Sequence, residues 1–349
     1  MSGYANRKFN DIAPAGPLRL GAVRSSRQLS DGLTASVVGQ SEAIDAVVRA
    51  LTIAGAQLAD PERPLATLLL AGPTGVGKTE IVRQVAALVR SGPDDLCRID
   101  MNSLAQEHYS ASLAGAPPGY AGSKESMSLF QPERIEGNAS TPGIVLFDEV
   151  EKAHATVVRS LLQVTDTGLL RLAGGGRDIS FRNCLVFMTS NLGSRELARR
   201  QRSRHRRLVR RIMGPRIDDT LASRDRAAAA AVIRDHFDPE LYNRFDEVVH
   251  FGSLDRAAAQ DIVSTELDRL VRSLGSRGIM WSADDPVRAH LLQHGFDPTF
   301  GARNLRRVIR RDLHGPLSTA IIDAARTSGE ALVLETRVES GSIVVRVCG

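Results

Sequence analysis

The sequence predicts an α/β fold: a parallel sheet with helices on both faces, followed by a smaller α+β domain. Short apolar runs of the buried-strand type alternate with helical patterns over the first 250 residues, an order typical of parallel sheets with crossover helices. After Phe251 the pattern changes to longer helices and ends in two strand-like segments joined by a glycine-bearing turn. We therefore place a domain boundary near residue 252.

Three segments follow from this organisation. Residues 1–34 show no sustained hydrophobic periodicity, so we expect a flexible N-terminal extension there. Residues 35–251 contain the alternating strands and helices and are expected to form the large domain. Residues 252–349 contain the later helices and the two final strands, and are expected to form the smaller domain.

The elements of the large domain are predicted from apolar runs and from helical spacing of apolar residues. The strand candidates, in order, are ATLLLAG (66–72), LCRIDM (96–101), GIVLFDE (143–149), NCLVFMTS (183–190) and EVVHF (247–251). The clearest helix candidates are SEAIDAVVRAL (41–51), TEIVRQVAALV (79–89) and, at the start of the smaller domain, SLDRAAAQDIVSTELDRLVRSL (253–274).

The composition is that of an ordinary globular protein, with 42% hydrophobic and 24% charged residues. The sequence contains no run of about 18 apolar residues, so it predicts no membrane span, and its N-terminus lacks the apolar core of a signal peptide. Cys97, Cys184 and Cys348 are odd in number and far apart, which favours reduced thiols over a disulfide framework or a zinc site. We expect a cytoplasmic protein.

The net charge of +5 comes from one segment, residues 195–216, which contains ten arginines and a single glutamate. The rest of the chain is acidic, so the balance does not predict a general nucleic-acid-binding surface. We interpret the segment as a solvated insertion, while a docking helix for an acidic protein, a lipid surface or nucleic acid remains open. No aromatic residues interleave with these arginines, which disfavours a stacking platform for single-stranded nucleic acid.

GPTGVGKT, residues 72–79, fits the pattern G-x-x-x-x-G-K-T between a predicted strand and a predicted helix. The glycines let backbone N–H groups curl around phosphates, and the N-terminus of the following helix adds a positive end. In such a loop Lys78 reaches the β- and γ-phosphates and Thr79 ligates Mg²⁺. The motif predicts binding of ATP or GTP.

IVLFDE, residues 144–149, is the companion of this loop. A buried strand delivers Asp148 to the carboxyl edge of the sheet, where Mg²⁺ is expected. Glu149 is then placed to polarise an attacking water. Because both carboxylates are present, the sequence favours a hydrolase over a switch that only binds nucleotide.

A longer series of segments resembles one protein family. In chain order they are VVGQSEAIDAV, LLLAGPTGVGKTE, RIDMNSL, GAPPGYAG, VLFDEVEKAH, FRNCLVFMTSNLGS, PELYNRFDEVVHF and GFDPTFGARNLRRVI. Together they resemble the second ATPase module of the Clp chaperone ATPases, in particular the ClpB-like disaggregases, over residues 35–349. The resemblance implies an AAA+ module with a five-stranded sheet and a lid, ATP and Mg²⁺ as ligands, and assembly into homohexameric rings that act on unfolded or specific protein clients.

The resemblance also implies site residues. Val37 and Val38 are expected to contact the adenine. Asp148 is expected to organise Mg²⁺, Glu149 to activate water and Asn191 to orient that water as sensor 1. The residues expected to wrap the phosphates are Thr74, Gly75, Val76, Gly77, Lys78 and Thr79.

Two arginines complete the set implied by the resemblance. Arg244 is expected to act as an arginine finger on the γ-phosphate of the neighbouring subunit, since a guanidinium there stabilises the charge of the transition state. From composition alone, a surface ion pair with Asp246 or Glu247 is the simpler interpretation. Arg303 is expected to be sensor 2, with further arginines close by at positions 306, 307 and 310.

Tyr120 lies in GAPPGYAG, residues 115–122, which is too rich in glycine and proline for a helix or a central strand. The segment is therefore a surface loop. The resemblance implies that this loop projects into the channel of the ring, where the ring of Tyr120 offers apolar area and few rotamers for gripping a polypeptide. A tyrosine packed against its own loop is the alternative. Residues 171–178 are a candidate for a second channel loop.

The sequence departs from the family in three places. Residues 1–34 are too few for the additional domains of a whole disaggregase, so we expect remodelling of selected clients. Residues 195–240 lack the Ile/Leu-Gly-Phe/Leu tripeptide of peptidase-docking relatives, so we expect no peptidase partner. Pro132 and Pro142 interrupt the segment that usually forms a helix after the pore loop. The leading hypothesis is an ATP-dependent protein unfoldase or remodelling chaperone; the alternatives are a nucleic-acid-acting ATPase and a dedicated remodeller of one complex.

Overall fold

The computed structural model describes residues 20–56, 58, 60–105, 129–138, 140–171, 178–194, 218–297, 301–324 and 332–348. Within them the chain forms two compact units. The first comprises residues up to 37, 41–71 and 78–250, and the second comprises residues 38–40, 72–77 and 251–349. The division at residue 250 lies close to the predicted boundary, but the segments 38–40 and 72–77, which the sequence patterns place in the large domain, belong to the second unit.

A five-stranded parallel sheet lies at the centre of the first unit, as the α/β prediction requires. The strands of this unit are β1 (Ala66–Ala71), β2 (Cys97–Asp100), β3 (Gly143–Asp148), β4 (Leu169–Leu170), β5 (Ile179–Ser180), β6 (Cys184–Ser190) and β7 (Glu247–His250). The sheet order is β2-β3-β6-β1-β7, while β4 and β5 form a separate antiparallel pair. β1, β3 and β6 are buried along their whole length, which explains their continuous apolar sequences.

The register of the sheet places the ends of its central strands side by side. Asp100 pairs with Asp148, and Ala71 pairs with Ser190. Because all pairings are parallel, the residues that end or follow β2, β3 and β6 meet at one edge of the sheet. This edge carries the candidate site.

Helices flank the sheet of the first unit. They are α1 (Ser26–Thr34), α2 (Ser41–Gly55), α3 (Lys78–Val89), α4 (Pro132–Ile135), α5 (Ala155–Thr167), α6 (Asp218–His236) and α7 (Pro239–Tyr242), with short 3-10 turns at Met101–Leu104 and Val150–Lys152. None of the helices in the described part of the chain has both the length and the apolar character needed to span a bilayer.

Residues 20–34 correct the prediction of a flexible extension over residues 1–34. They contain α1, which begins where the Ser25 hydroxyl accepts a hydrogen bond from the N–H of Gln28 at 3.2 Å. Leu29 and Leu33 of this helix are fully buried. Their i, i+4 spacing places them on one helical face, but two leucines in a polar segment are too few to appear as sustained periodicity. Residues 1–19 lie outside the described part.

The second unit is an α+β domain, as predicted from the change of pattern after Phe251. Its elements are α8 (Arg256–Gly275), β8 (Ile279–Trp281), α9 (Asp285–Gly295), α10 (Gly301–Ile309), a π-helical turn (Arg310–His314), α11 (Gly315–Ala324), β9 (Leu332–Glu339) and β10 (Ser342–Cys348). β9 and β10 are the two predicted strands, and they pair antiparallel. The sequence analysis missed β8, which joins β9 in parallel. The buried Trp281 of β8 donates from Nε1 to the hydroxyl of Thr336 at 3.3 Å.

Candidate functional site

Asp148 ends β3 at the carboxyl edge of the sheet and is only 9% exposed. Its two carboxylate oxygens accept hydrogen bonds from the two neighbouring strands. Oδ1 accepts from the hydroxyl of Thr189 on β6, and Oδ2 accepts from Nε of Arg98 on β2 at 3.1 Å and from Nη2 of the same guanidinium. The carboxylate thus lies between polar side chains from β2 and β6, and carboxylate oxygens are among the ligands that Mg²⁺ uses in proteins.

Glu149 directly follows β3 and adopts a left-handed backbone conformation, with φ of 60° and ψ of 53°. A non-glycine residue pays a conformational cost there, and such residues occur often at functional sites. Two hydrogen bonds hold it. Its N–H donates to the hydroxyl oxygen of Thr189 at 2.9 Å, and its Oε1 accepts from Nδ2 of Asn191 at 3.0 Å.

Asn191 follows β6 and connects the lysine of the phosphate-loop motif to Glu149. Its Oδ1 accepts from Nζ of Lys78 at 2.9 Å, while its Nδ2 donates to Glu149. An ammonium group only donates and an ionised carboxylate only accepts, so these two partners fix which way the amide points. The N–H of Asn191 donates to Oε1 of Glu151 at 3.0 Å. The structure thus brings together Lys78, Glu149 and Asn191, which the sequence analysis assigned to one site.

Lys78 and Thr79 are the first two residues of α3. Lys78 is buried, at 7% exposure, and Thr79 is partly exposed. A lysine held in this way at a helix N-terminus is placed for an anionic ligand, because the helix dipole and the ammonium charge act together.

The phosphate loop itself, Gly72–Gly77, belongs to the second unit and contacts the start of α10. The N–H of Ala302 donates to the carbonyl oxygen of Gly75 at 2.9 Å. Gly301 has φ of +54°, and a Cβ atom at this position would lie 2.6 Å from the same carbonyl oxygen. Glycine is therefore required at position 301 both by backbone conformation and by the close approach.

Arg303 is exposed and follows Ala302 in the chain, so it stands one residue from the hydrogen bond to the phosphate loop. Its role as sensor 2 stays a prediction. The other arginines of α10 have their own partners: Arg306 donates to Glu266 at 2.8 Å, and Arg307 donates to Asn304 at 2.8 Å.

Val37 and Val38, the expected adenine contacts, lie just before α2. Val37 is buried in the first unit, and Val38 is partly buried in the second. Two residues on, the buried side chain of Gln40 forms a reciprocal pair of hydrogen bonds with the backbone of Gly252. Nε2 donates to the Gly252 carbonyl at 3.0 Å, and Oε1 accepts from the Gly252 N–H at 3.0 Å. The sequence analysis did not single out Gln40.

Arg244 follows α7, and its guanidinium Nη2 lies 2.7 Å from Oδ1 of Asp166, the penultimate residue of α5. The composition-based alternative, an ion pair with Asp246 or Glu247, is not what the structure has. Asp246 accepts from the backbone N–H of Thr67 at 2.7 Å, and Glu247 pairs with Arg49 at 2.9 Å.

Several predicted features lie outside the described residues. These are Tyr120 and its loop, most of the second candidate channel loop, and the arginine-rich segment. Conversely, the structure adds Arg98, Thr189 and Glu151 to the site. Thr189 and Glu151 lie near the ends of β6 and β3, and Arg98 lies inside β2, but only the order of strands in the sheet brings these residues to the site, and no local sequence pattern reveals that order.

Two family models match the chain. Residues 63–248 match the model described as AAA domain (Cdc48 subfamily), and residues 254–334 match the C-terminal D2-small domain of ClpB protein. This chain is an AAA+ ATPase. The two matched regions meet close to residue 250, where the two compact units divide in sequence.

Three relatives of this ATPase differ in the share of their own length that the match covers. One from Rhodococcus erythropolis, called an ATP-dependent protease ATP-binding subunit-like protein, is 52% identical over 95% of this chain and 92% of its own length. One from Pseudomonas aeruginosa, called AmiB, is 45% identical over 84% of this chain and 78% of its own length. The chaperone protein ClpB of Meiothermus ruber is 38% identical over 91% of this chain, which spans only 35% of that protein.

A solved structure supports the same family. The reconstruction of Hsp104 in a closed state with ATPγS and FITC casein superposes with a TM-score of 0.71 at 27% identity. The match covers 92% of this ATPase and 51% of the Hsp104 chain. Nucleotide binding is therefore a property of the family to which the chain belongs.

Proposed function

We propose that this ATPase uses ATP hydrolysis to thread or remodel protein substrates through the central channel of a homohexameric ring. The observation that carries the proposal is the pair of hydrogen bonds that joins Lys78 to Asn191 and Asn191 to Glu149 at the carboxyl edge of the sheet. The sequence motifs of the chain also occur in the same order as those of Clp chaperone modules. The similarity to ClpB and Hsp104 supports a protein substrate.

Thr79 and Asp148 would hold Mg²⁺ together with the phosphates of ATP. The donor set fits, since hydroxyl and carboxylate oxygens are the ligands that Mg²⁺ prefers. The bound ion would neutralise the charge that develops on the β- and γ-phosphates. The backbone of Thr74, Gly75, Val76 and Gly77 would surround the phosphates. Val37 and Val38 would contact the adenine.

Glu149 would accept a proton from the attacking water, and Asn191 would orient that water. This division of roles is supported by the direct contact between the two side chains and by the lack of any other donor to Glu149 Oε1 among the described hydrogen bonds. Arg303 would report the state of the nucleotide. Arg244 would reach the γ-phosphate bound to a neighbouring subunit, and for this its guanidinium would have to exchange Asp166 for the phosphate.

Tyr120 would grip the client. A tyrosine on a glycine-flanked loop offers apolar surface without reading one particular side chain, so it suits an extended polypeptide of any sequence. We thus propose a cytoplasmic homohexamer that acts on protein clients. The proposal includes no peptidase partner and no nucleic-acid partner.

The test measures ATP hydrolysis with and without unfolded casein for the wild type, Tyr120→Ala and the ring-retaining control Tyr120→Phe. We expect casein to stimulate the wild type and Tyr120→Phe several-fold and to leave Tyr120→Ala at its basal rate. Equal basal hydrolysis in all three proteins, without a response to casein, would point instead to a dedicated partner. Stimulation by DNA or RNA that falls steeply with salt would point to a nucleic-acid substrate.

A further inference from the structure

Glu151 lies in the 3-10 turn that directly follows Glu149. One of its carboxylate oxygens has a hydrogen-bond partner, and the other has none among the described residues. Oε1 accepts the backbone N–H of Asn191 at 3.0 Å. Oε2 is buried and has no hydrogen-bond partner among the described residues. Burial of a carboxylate costs folding free energy, and among the described residues only the hydrogen bond from the N–H of Asn191 offsets that cost.

The turn holds Asn191 at two points. Glu149 contacts its side-chain amide and Glu151 contacts its backbone N–H. The turn is itself closed by a hydrogen bond from the N–H of Lys152 to the carbonyl of Glu149 at 2.9 Å, so both acidic residues lie in one closed turn. The other side of Asn191 is also fixed, because its carbonyl oxygen accepts from the hydroxyl of Ser194.

We infer that Glu151 is a positioning residue for hydrolysis: by anchoring the backbone of Asn191, it sets the amide of Asn191 between Lys78 and Glu149. Without the hydrogen bond from Glu151, the backbone of Asn191 would be free to rotate at the end of β6. The side-chain amide of Asn191 would then no longer contact both Lys78 and Glu149. The inference rests on the proposed role of Asn191 in orienting the attacking water. Misplacement of such a group by about 1 Å lowers turnover by about 100-fold.

The experiment is a double-mutant cycle on the full chain, read as kcat and KM for ATP. Glu151→Met keeps the length of the side chain but removes the acceptor, and Glu151→Gln keeps an amide oxygen that can accept from Asn191. We expect Glu151→Met to lower kcat by about 10- to 100-fold with little change in KM, and Glu151→Gln to stay within about threefold of the wild type. Glu133→Ala, on an exposed position of α4, is the control and should leave kcat unchanged.

The second half of the cycle places Glu151→Met in an Asn191→Ala background. That background keeps the backbone N–H but lacks the amide to be positioned, so the further loss of kcat should be less than about twofold. An equal loss in both backgrounds would assign Glu151 a general structural role and overturn the inference. If Asn191→Ala alone leaves kcat unchanged, the proposed role of Asn191 fails first. If Glu151→Met does not fold, the Glu151→Gln variant still tests the inference, because a tenfold lower kcat in that variant would contradict it.

Discussion

The backbone N–H of Ala302 donates a 2.9 Å hydrogen bond to the carbonyl oxygen of Gly75, so the phosphate loop and the start of α10 are joined by main-chain atoms. Both residues belong to the second compact unit. Gly301, with its φ of +54°, makes this approach possible. The loop that is expected to surround the phosphates is therefore shaped partly by a segment more than 200 residues further along the chain.

Gly301→Ala is expected to weaken ATP binding by about tenfold. The left-handed conformation costs an alanine about 1–2 kcal/mol, and the new Cβ would lie 2.6 Å from the Gly75 carbonyl oxygen, so the phosphate loop would have to shift. Binding of a fluorescent ATP analogue measures the effect. Gly341→Ala is the matched control, because Gly341 has φ of +77° but open space around its Cβ position; it should lose stability without losing ATP affinity.

Glu149→Gln and Arg244→Ala are each expected to bind ATP and to lose at least about 100-fold in kcat. Glutamine at position 149 can still accept from Nδ2 of Asn191, so the site should stay in place. Because Arg244 is proposed to act on a neighbouring subunit, a mixture of the two inactive variants should regain measurable hydrolysis. An inactive mixture of well-folded, co-assembled variants would show that Arg244 acts within its own chain or not at all.

Gln40→Ala is expected to lower the free energy of unfolding by about 1–2 kcal/mol, since it removes two hydrogen bonds to the backbone of Gly252. Gln40→Glu keeps the acceptor for the Gly252 N–H but loses the donor to its carbonyl, so it should also destabilise. Thermal unfolding measures both. Gln163→Ala, on an exposed position of α5, should leave the midpoint within about one degree.

His290 makes the stability of the second unit depend on pH. Burial, and then the neighbouring His294, lower the pKa of His290 below its usual 6.5, and Asp312 opposes them only in part. The ring centroids of the two histidines are 4.2 Å apart, and Arg311 adds positive charge nearby. His290 therefore binds a proton more readily in the unfolded chain than in the folded chain. The free energy of unfolding should fall as the pH drops below about 6.5.

Unfolding midpoints measured between pH 5 and pH 8 check this expectation. His290→Gln should make the fall shallower, because glutamine does not titrate, while the part that remains comes from His314, whose pKa burial also lowers. His236→Gln, at an exposed position, should leave the fall unchanged. An equally steep fall in the His290→Gln variant would assign the pH dependence to other groups.

The strands, the loop and the helix that hold Lys78, Asp148 and Asn191 could be predicted because each has a local sequence pattern. The apolar runs before Asp148 and Asn191 predict strands, and the motif around Lys78 predicts the loop and helix. Thr189 and Arg98 escaped prediction because their contacts with Asp148 depend on the order of strands in the sheet, which no local pattern reveals. Gln40 was missed for the same reason, since its partner is 212 positions away in sequence.

The ion pair between Arg98 and Asp148 affects how a metal ion would bind beside Asp148. The carboxylate already has a cationic counterion in the guanidinium, so a divalent ion would gain little by entering alone. Asp148 would hold the ion more readily together with a triphosphate, which would bring negative charge and further oxygen ligands. The protein would thus take up magnesium as the nucleotide complex, and its occupancy would follow the concentration of ATP and not that of the free ion.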